Sequence, residues 1–233
     1  MVPRSLFAII PLFLLSVSRP SPIWGVQAAD PAKPLTLQQV WSLDSTYTDR
    51  QNGVSFRYPS IWKPETQFGY VPPGLIVYLE PSGDERLQRV KGFAYEEGGF
   101  PRDRIIGPYS ATNLEGFGFV YSVLPAASPA DCEKKASSAA DNPIVKNSGH
   151  RSVRIAARSY SVYTTAGEAM NQTYDGQLYG TYAGNACYLF ETGVATALPG
   201  ILDNIQALTP AQFHSIDVHL WQMMETVRIS RQR

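Results

Sequence analysis

Apolar and polar positions alternate along most of the chain, and the alternation predicts strands. Val54, Phe56 and Tyr58 are apolar while Ser55 and Arg57 between them are polar, so one side of this run faces a core and the other faces water. Tyr47–Gln51 and Asn52-Gly53 precede it. Asn-Gly accepts the positive φ angles of a type I′ turn, so the pieces predict a hairpin. Pro59 ends it, having no amide hydrogen for a ladder. Leu75–Glu80, Arg89–Glu96 and Leu114–Leu124 are further strand-like runs. In the last, Phe117, Phe119, Tyr121 and Val123 share one face; Gly116 and Gly118 fall on the other, where they remove bulk for a neighbour or mark a bulge. Residues 151–164 predict one or two more strands. Gln177–Tyr182 pairs with Ala186–Ala195 across Gly184-Asn185, which sets Tyr188, Phe190, Thr192 and Val194 on one face. Stretches 72–74, 81–84 and 98–101, rich in proline and glycine, read as loops.

Two helices stand out. Ser128 can cap a helix that runs to about Ala140, with Pro129 in the first helical position and Asp131 beside the positive helix start. Asn142-Pro143 stops it. The second begins at the capping box Thr209-Pro210-Ala211-Gln212. Phe213, Ile216, Leu220, Met223, Met224 and Val227 then follow at helical spacing, and Val227-Arg228-Ile229 leaves as a short strand. With strand runs outnumbering helices, the expected fold class is α+β: a twisted, largely antiparallel sheet flanked by helices. No internal repeat or low-complexity linker follows residue 40, so residues 46–233 are expected to form a single domain, with 29–45 a flexible lead-in.

The first residues read as an address. Arg4 is followed by a 12-residue apolar run, Leu6 to Val17, then a polar stretch and Val26-Gln27-Ala28, which suits signal-peptide cleavage. The run is shorter than the roughly 20 residues a membrane helix needs. Residues 1–28 are therefore expected to be a signal peptide, and the protein to be secreted or periplasmic with no stable membrane span after cleavage; an N-terminal membrane anchor is the competing reading.

Composition narrows the function classes. The chain has 233 residues, of which 44% are hydrophobic, and it carries 20 basic and 20 acidic side chains. Losing residues 1–28 removes Arg4 and Arg19 and no acid, leaving 18 basic against 20 acidic groups. Such a surface has no field for polyanions, so nucleic acid is not an expected partner. Cys132 and Cys187 are the two cysteines. Their parity and an oxidising compartment point to a disulfide, worth about 4 kcal/mol in the chain-entropy model; two buried free thiols are the competing reading.

Asn52 to Pro59 followed by Trp62 resembles the opening of the PsbP/Mog1-like family, and the C-terminal helix running into Thr226-Val227-Arg228-Ile229 resembles its ending. The resemblance covers about a fifth of the chain without the leader. It implies a twisted antiparallel sheet between helical layers, an α/β/α sandwich, and a protein that docks on a larger assembly rather than an enzyme. The Tyr- and Gly-rich stretch from Tyr174 to Thr192 departs from what PsbP itself would show, and no family binding residues carry over.

No catalytic constellation is visible. His214 and His219 are five residues apart, about 140° around a helix, so they do not share an ion; His150 stands alone. No metal site, cofactor site or catalytic residue is expected. Asp84-Glu85 and Glu96-Glu97 read as solvated charge. Asn171-Gln172-Thr173 is a glycosylation sequon, which matters only in a eukaryotic secretory pathway. Of the 13 tyrosines, many crowd the C-terminal half, which suits sheet packing first and contact surfaces second. With the apolar stripe of the last helix turned to the sheet, His214, Val218, Trp221 and Glu225 project from the other side as a possible partner contact, unless another segment covers Trp221.

The expected function is an exported, non-catalytic binding or assembly-accessory module for an unknown protein or cell-envelope component. The alternative is a secreted hydrolase or small-ligand carrier with a loop-built site. In an export-competent host, intact mass should show a 205-residue product beginning at Ala29. A 233-residue chain retained in the cytosol would contradict the leader.

Overall fold

A computed structural model describes residues 36–65, 75–80, 89–90, 104–105, 109, 112–141, 146–169, 172–198 and 206–230. The expected signal peptide, residues 29–35 of the lead-in, the three proline- and glycine-rich loops, Asn171, the two acidic pairs and most of Arg89–Glu96 lie outside the described residues. In chain order the elements are α1 (Leu37–Trp41), β1 (Ser45–Asp49), β2 (Val54–Tyr58), β3 (Lys63–Glu65), β4 (Leu75–Glu80), β5 (Arg89–Val90), β6 (Arg104–Ile105), β7 (Leu114–Pro125), α2 (Pro129–Ala140), β8 (Lys146–Ile155), β9 (Arg158–Ala169), β10 (Gln172–Ala183), β11 (Ala186–Ala197), α3 (Pro210–Glu225) and β12 (Arg228–Ile229). The fold is α+β, and the strand pairs are antiparallel.

The strands form a seven-stranded sheet, β3-β4-β7-β11-β10-β9-β8, a three-stranded sheet, β1-β2-β12, and the pair β5-β6. The N-terminal hairpin therefore does not join the main sheet. It lies over one face of it, because Phe56 and Tyr47 find ring partners there: Phe56 and Phe119 have centroids 4.9 Å apart, and Tyr47 meets Tyr121 edge-on at 6.4 Å. β12 then adds to β2, with Arg228 opposite Ser55 and Ile229 opposite Val54. The junction is sealed by the Thr226 hydroxyl, which accepts from the Arg57 amide (2.8 Å) and donates to the Met223 carbonyl (2.7 Å).

Alternation along β7 and β11 assigns the two faces. Phe117, Phe119, Tyr121, Tyr188, Phe190 and Val194 belong to a core shared with Val54, Phe56 and the buried side of α3, namely Ile216, Leu220, Met223 and Met224. The opposite face supplies Cys187, Leu189, Leu178 and Tyr163, which pack with Cys132, Ala136 and Ala140 of α2. A Cβ at Gly180 would meet the Ala136 Cβ at 2.8 Å, so this helix needs a bare strand position to approach. Of the two readings open for the β7 glycines, Gly116 lies at a bulge, since register shifts between Ala195 and Thr196, opposite Gly116 and Leu114, while Gly118 stays in register opposite Gly193.

Three expectations change. The stretch 36–45 is not a loose lead-in. Thr36 and Gln39 form a capping box, and α1 buries Val40 and Trp41, whose ring stacks on Phe117 at 4.6 Å. Asn52-Gly53 is not a type I′ turn. Asp49 pairs with Val54, which leaves a four-residue loop, and only Gly53 has positive φ (+66°). The Asp49 carboxylate captures the Asn52 backbone amide (3.1 Å) and side-chain amide (2.6 Å), so Asn52 stays outside the left-handed region. The type I′ pattern occurs instead at Gly184-Asn185, both with positive φ, between the paired Ala183 and Ala186. Finally, β8 starts earlier than expected and β10 is twice the expected length, because twelve consecutive pairs with β11 carry it through Tyr174, Asp175 and Gly176.

The β8–β9 hairpin closes through Ala156-Ala157, since Ile155 pairs with Arg158. Ala156 is exposed and has φ +52°, where a Cβ costs about 1–2 kcal/mol. Replacing Ala156→Gly should raise unfolding stability by about 0.5–1 kcal/mol after the greater freedom of glycine in the unfolded chain is counted. Urea denaturation measures it; a loss of stability would contradict the turn geometry.

Candidate functional site

The C-terminal helix is held by its own ends. The Thr209 hydroxyl accepts from the Gln212 amide (3.2 Å), and Gln212 Oε1 accepts from the Thr209 amide (2.9 Å). The buried stripe fixes its rotation, so His214, Asp217, Val218 and Glu225 reach solvent, with Val218 37% exposed. Trp221 lies between. It is half-buried and packs against the core, its ring 5.9 Å from that of Tyr179 on β10. The structure thus places all four expected contact residues on the outer side of α3 or at its edge, with one face of Trp221 occupied by Tyr179.

Tyr179 links the helix to polar groups on the sheet. Its hydroxyl donates to Gln177 Oε1 (2.8 Å), and the Arg151 guanidinium donates to the same oxygen (2.8 Å). Burial pushes the Tyr179 phenol up to about 12. Asp175 of β10 faces the same side, two residues before Gln177. Burial raises its carboxyl above the usual range. Asp217 on α3 is raised as well, first by burial and then by the charge of Asp175, with His214 pulling the other way. Nothing in the sequence joins Asp175 to Asp217; strand register and helix rotation leave them within electrostatic influence of one another.

The other histidines sit elsewhere. His219 stacks on Trp41 (4.8 Å, 14° between planes), with Nδ1 2.6 Å from the Ser215 carbonyl of its own helix. His150, on the α2 side of the main sheet, lies 3.8 Å from Glu133 and 4.8 Å from the Tyr163 ring. Cys132 on α2 and Cys187 on β11 form a disulfide, with Cα atoms 5.0 Å apart. A groove of about 250 Å³ runs beside this bridge, lined by Glu133, Ser152, Ser159, Ser161, Thr181 and Tyr182 among others.

A buried polar feature on the α2 face has no counterpart in the sequence reading. Gly118, Gly193, Gly176 and Thr165 stand opposite one another across β7, β11, β10 and β9. The Tyr174 phenol folds over this row: a Cβ on Gly193 would run into its ring and hydroxyl. That hydroxyl donates to Glu191 (2.8 Å), whose enclosed carboxyl is raised by burial. Thr165 Oγ1 is buried without a hydrogen-bond partner among the described residues. The usable signal was a tyrosine two positions before a glycine in one strand of a hairpin, with the other strand's glycine paired to it.

No protein-family model matches the chain, and no curated protein sequence matches it. Solved structures do. A crystal structure from Bacteroides thetaiotaomicron is 11% identical with a TM-score of 0.42, covering 82% of this chain and 50% of that protein, so the chain spans about half its length. The Saccharomyces cerevisiae Ran-binding protein Mog1p is 9% identical with a TM-score of 0.46, covering 80% of this chain and 95% of Mog1p. LpqN of Mycobacterium tuberculosis, involved in cell envelope biogenesis, is 10% identical with a TM-score of 0.41, covering 80% of this chain and 90% of LpqN. At such overlap no site and no partner transfers.

The buried carboxyl gives a pH signature. A folded-state pKa raised above the unfolded value favours the neutral form, so Glu191 leaves stability intact at low pH. Stability then falls as pH rises from the ordinary value of 4.5 through the folded-state pKa, by about 1.4 kcal/mol for each unit between the two. Glu191→Gln keeps an acceptor for Tyr174 and should flatten this part of the profile, leaving the slope of Asp175 and Asp217. Denaturation midpoints from pH 4 to 9, an illustrative range of about five units, test it. Unchanged slope in the variant would contradict the burial of Glu191.

Proposed function

We propose that the chain is an exported, non-catalytic binding or assembly-accessory module that meets its partner through the outer side of α3. One observation carries the reading. The main sheet is covered on both faces by packed side chains, while Val218 and the open side of Trp221 remain on the helix with no described neighbour over them. Export is supported by the signal-like leader and by the disulfide, which closes in oxidising compartments. The even charge balance disfavours a nucleic-acid partner and leaves a protein or a cell-envelope component. Among the described residues no helix is long and apolar enough to cross a membrane.

The groove beside α2 favours a second reading, a small-ligand carrier, because hydroxyls of Ser152, Ser159 and Ser161 line it with the Glu133 carboxylate. Affinity capture from the native exported fraction separates the two. Under the module reading Val218→Ser and Trp221→Ala, both shown to be folded by circular dichroism, lose most of the captured partner, while Ser161→Leu, which fills the groove, keeps it. Full capture by both helix variants would overturn the module reading.

A further inference from the structure

We propose that Asn52-Gly53 is a latent modification site: an asparagine that deamidates through attack by the following backbone nitrogen, and that the fold keeps closed until the N-terminal hairpin lifts from the main sheet. The chemistry lies in the dipeptide, because glycine has no side chain to shield its nitrogen from the preceding carboxamide. The Gly53 nitrogen gives its proton to water or hydroxide and bonds to Asn52 Cγ. The bond from Cγ to Nδ2 breaks, and ammonia leaves with a proton returned by solvent. Water then opens the cyclic imide at either carbonyl carbon, which yields aspartate or isoaspartate. Ring closure requires the Asn52 side chain and backbone to rotate, and both are tied. One Asp49 oxygen accepts from the Asn52 backbone amide (3.1 Å) and the other from Nδ2 (2.6 Å). The Tyr188 hydroxyl donates to the Asn52 carbonyl oxygen (3.1 Å). Ser230 covers the glycine, its amide (2.8 Å) and its hydroxyl (2.9 Å) both donating to the Gly53 carbonyl oxygen. Two of the ties reach across from the main sheet: Tyr188 stands on β11, and the Tyr121 hydroxyl of β7 donates to the Asp49 carboxylate (3.4 Å). Lifting the hairpin therefore releases Asn52 and its Asp49 anchor together. The product acts back on the turn. Aspartate at this position sets a second negative charge against Asp49, and isoaspartate lengthens the main chain inside a loop whose ends, Asp49 and Val54, are paired. Either product makes the next opening easier, so an opening event leaves a permanent mark.

The test incubates the purified chain at mildly alkaline pH, folded or in urea, and follows Asn52 by peptide mapping, through the mass gain of amide-to-acid conversion and the isoaspartate formed. The folded chain should convert at least about tenfold more slowly than the urea-unfolded one, as hydrogen bonds to a charged group would impose. Asp49→Ala should raise the folded-state rate about tenfold. Tyr188→Phe keeps the ring, loses only the hydroxyl, and should raise the rate by a smaller factor; it decides the matter if Asp49→Ala does not fold. Phe119→Ala touches no group of the turn and should also speed conversion, because it loosens the seat of the hairpin. Asn52→Asp, a copy of one product, should lower the urea midpoint. The proposal is overturned if the unfolded chain does not convert at Asn52, if the folded chain converts as fast as the unfolded one, or if neither Asp49→Ala nor Tyr188→Phe changes the rate. An unchanged rate in Phe119→Ala would overturn the control by hairpin lifting.

Discussion

The packing of rings along one face of β7 is the interaction from which the rest of the structure takes its position. Phe117 stacks with Trp41 and tilts against Trp62, Phe119 meets Phe56, and Tyr121 stacks on Phe190 at 5.1 Å. Each ring of that one strand thus engages a segment distant in sequence: α1, the N-terminal hairpin or β11. Apolar burial of this kind is worth roughly 25 cal/mol per Å², and a ring buries about 150–250 Å², so removing one central ring is a loss of several kcal/mol. The N-terminal hairpin, being separate from the main sheet, has no ladder to hold it there. The rings and the two-residue strand β12 hold it instead.

This constraint dictates the orientation of α3. Its stripe must fill the space between the hairpin and the main sheet, so Ile216, Leu220, Met223 and Met224 turn inward and Val218 turns outward. The groups on the outer side of α3 are a consequence of packing on the inner one. On the far side of the sheet the logic differs. α2 is short and alanine-rich, with small buried contacts, and the disulfide adds a covalent tie between it and β11. Beyond the helix the glycine row is covered by Tyr174, an aromatic ring replacing side chains the strands lack.

What the sequence made legible follows from which forces act locally. Period-two alternation sorted the faces of β7 and β11 correctly, because each central strand has a different core on either side. The starts of α2 and α3 were readable, since capping chemistry lies within four residues, whereas the equally local Thr36–Gln39 box of the five-residue α1 was passed over in the proline-bearing lead-in. The Asn-Gly turn was misread because a third residue, Asp49, competes for the Asn52 amides. The early start of β8 and the extension of β10 were missed because polar Asp175 and bare Gly176 weaken the local pattern, while pairing with a long neighbour carries them along. The outward placement of His214, Val218 and Glu225 was visible from helix geometry. The tilted contact of Trp221 with Tyr179 and the electrostatic influence of Asp175 on Asp217 were not, as they depend on where α3 crosses the sheet.

The small sheet, α3 and the main sheet are expected to open as one cooperative body through the β7 rings. Native-state hydrogen exchange measures this directly. The amides of Val54 and Ser55 in β2 and Arg228 in β12, which face their ladder partners, should exchange with the same free energy as those of Phe119 and Tyr121, and Phe119→Ala should lower all of them together. Exchange of β2 and β12 by a separate opening of lower free energy, indifferent to Phe119→Ala, would contradict it.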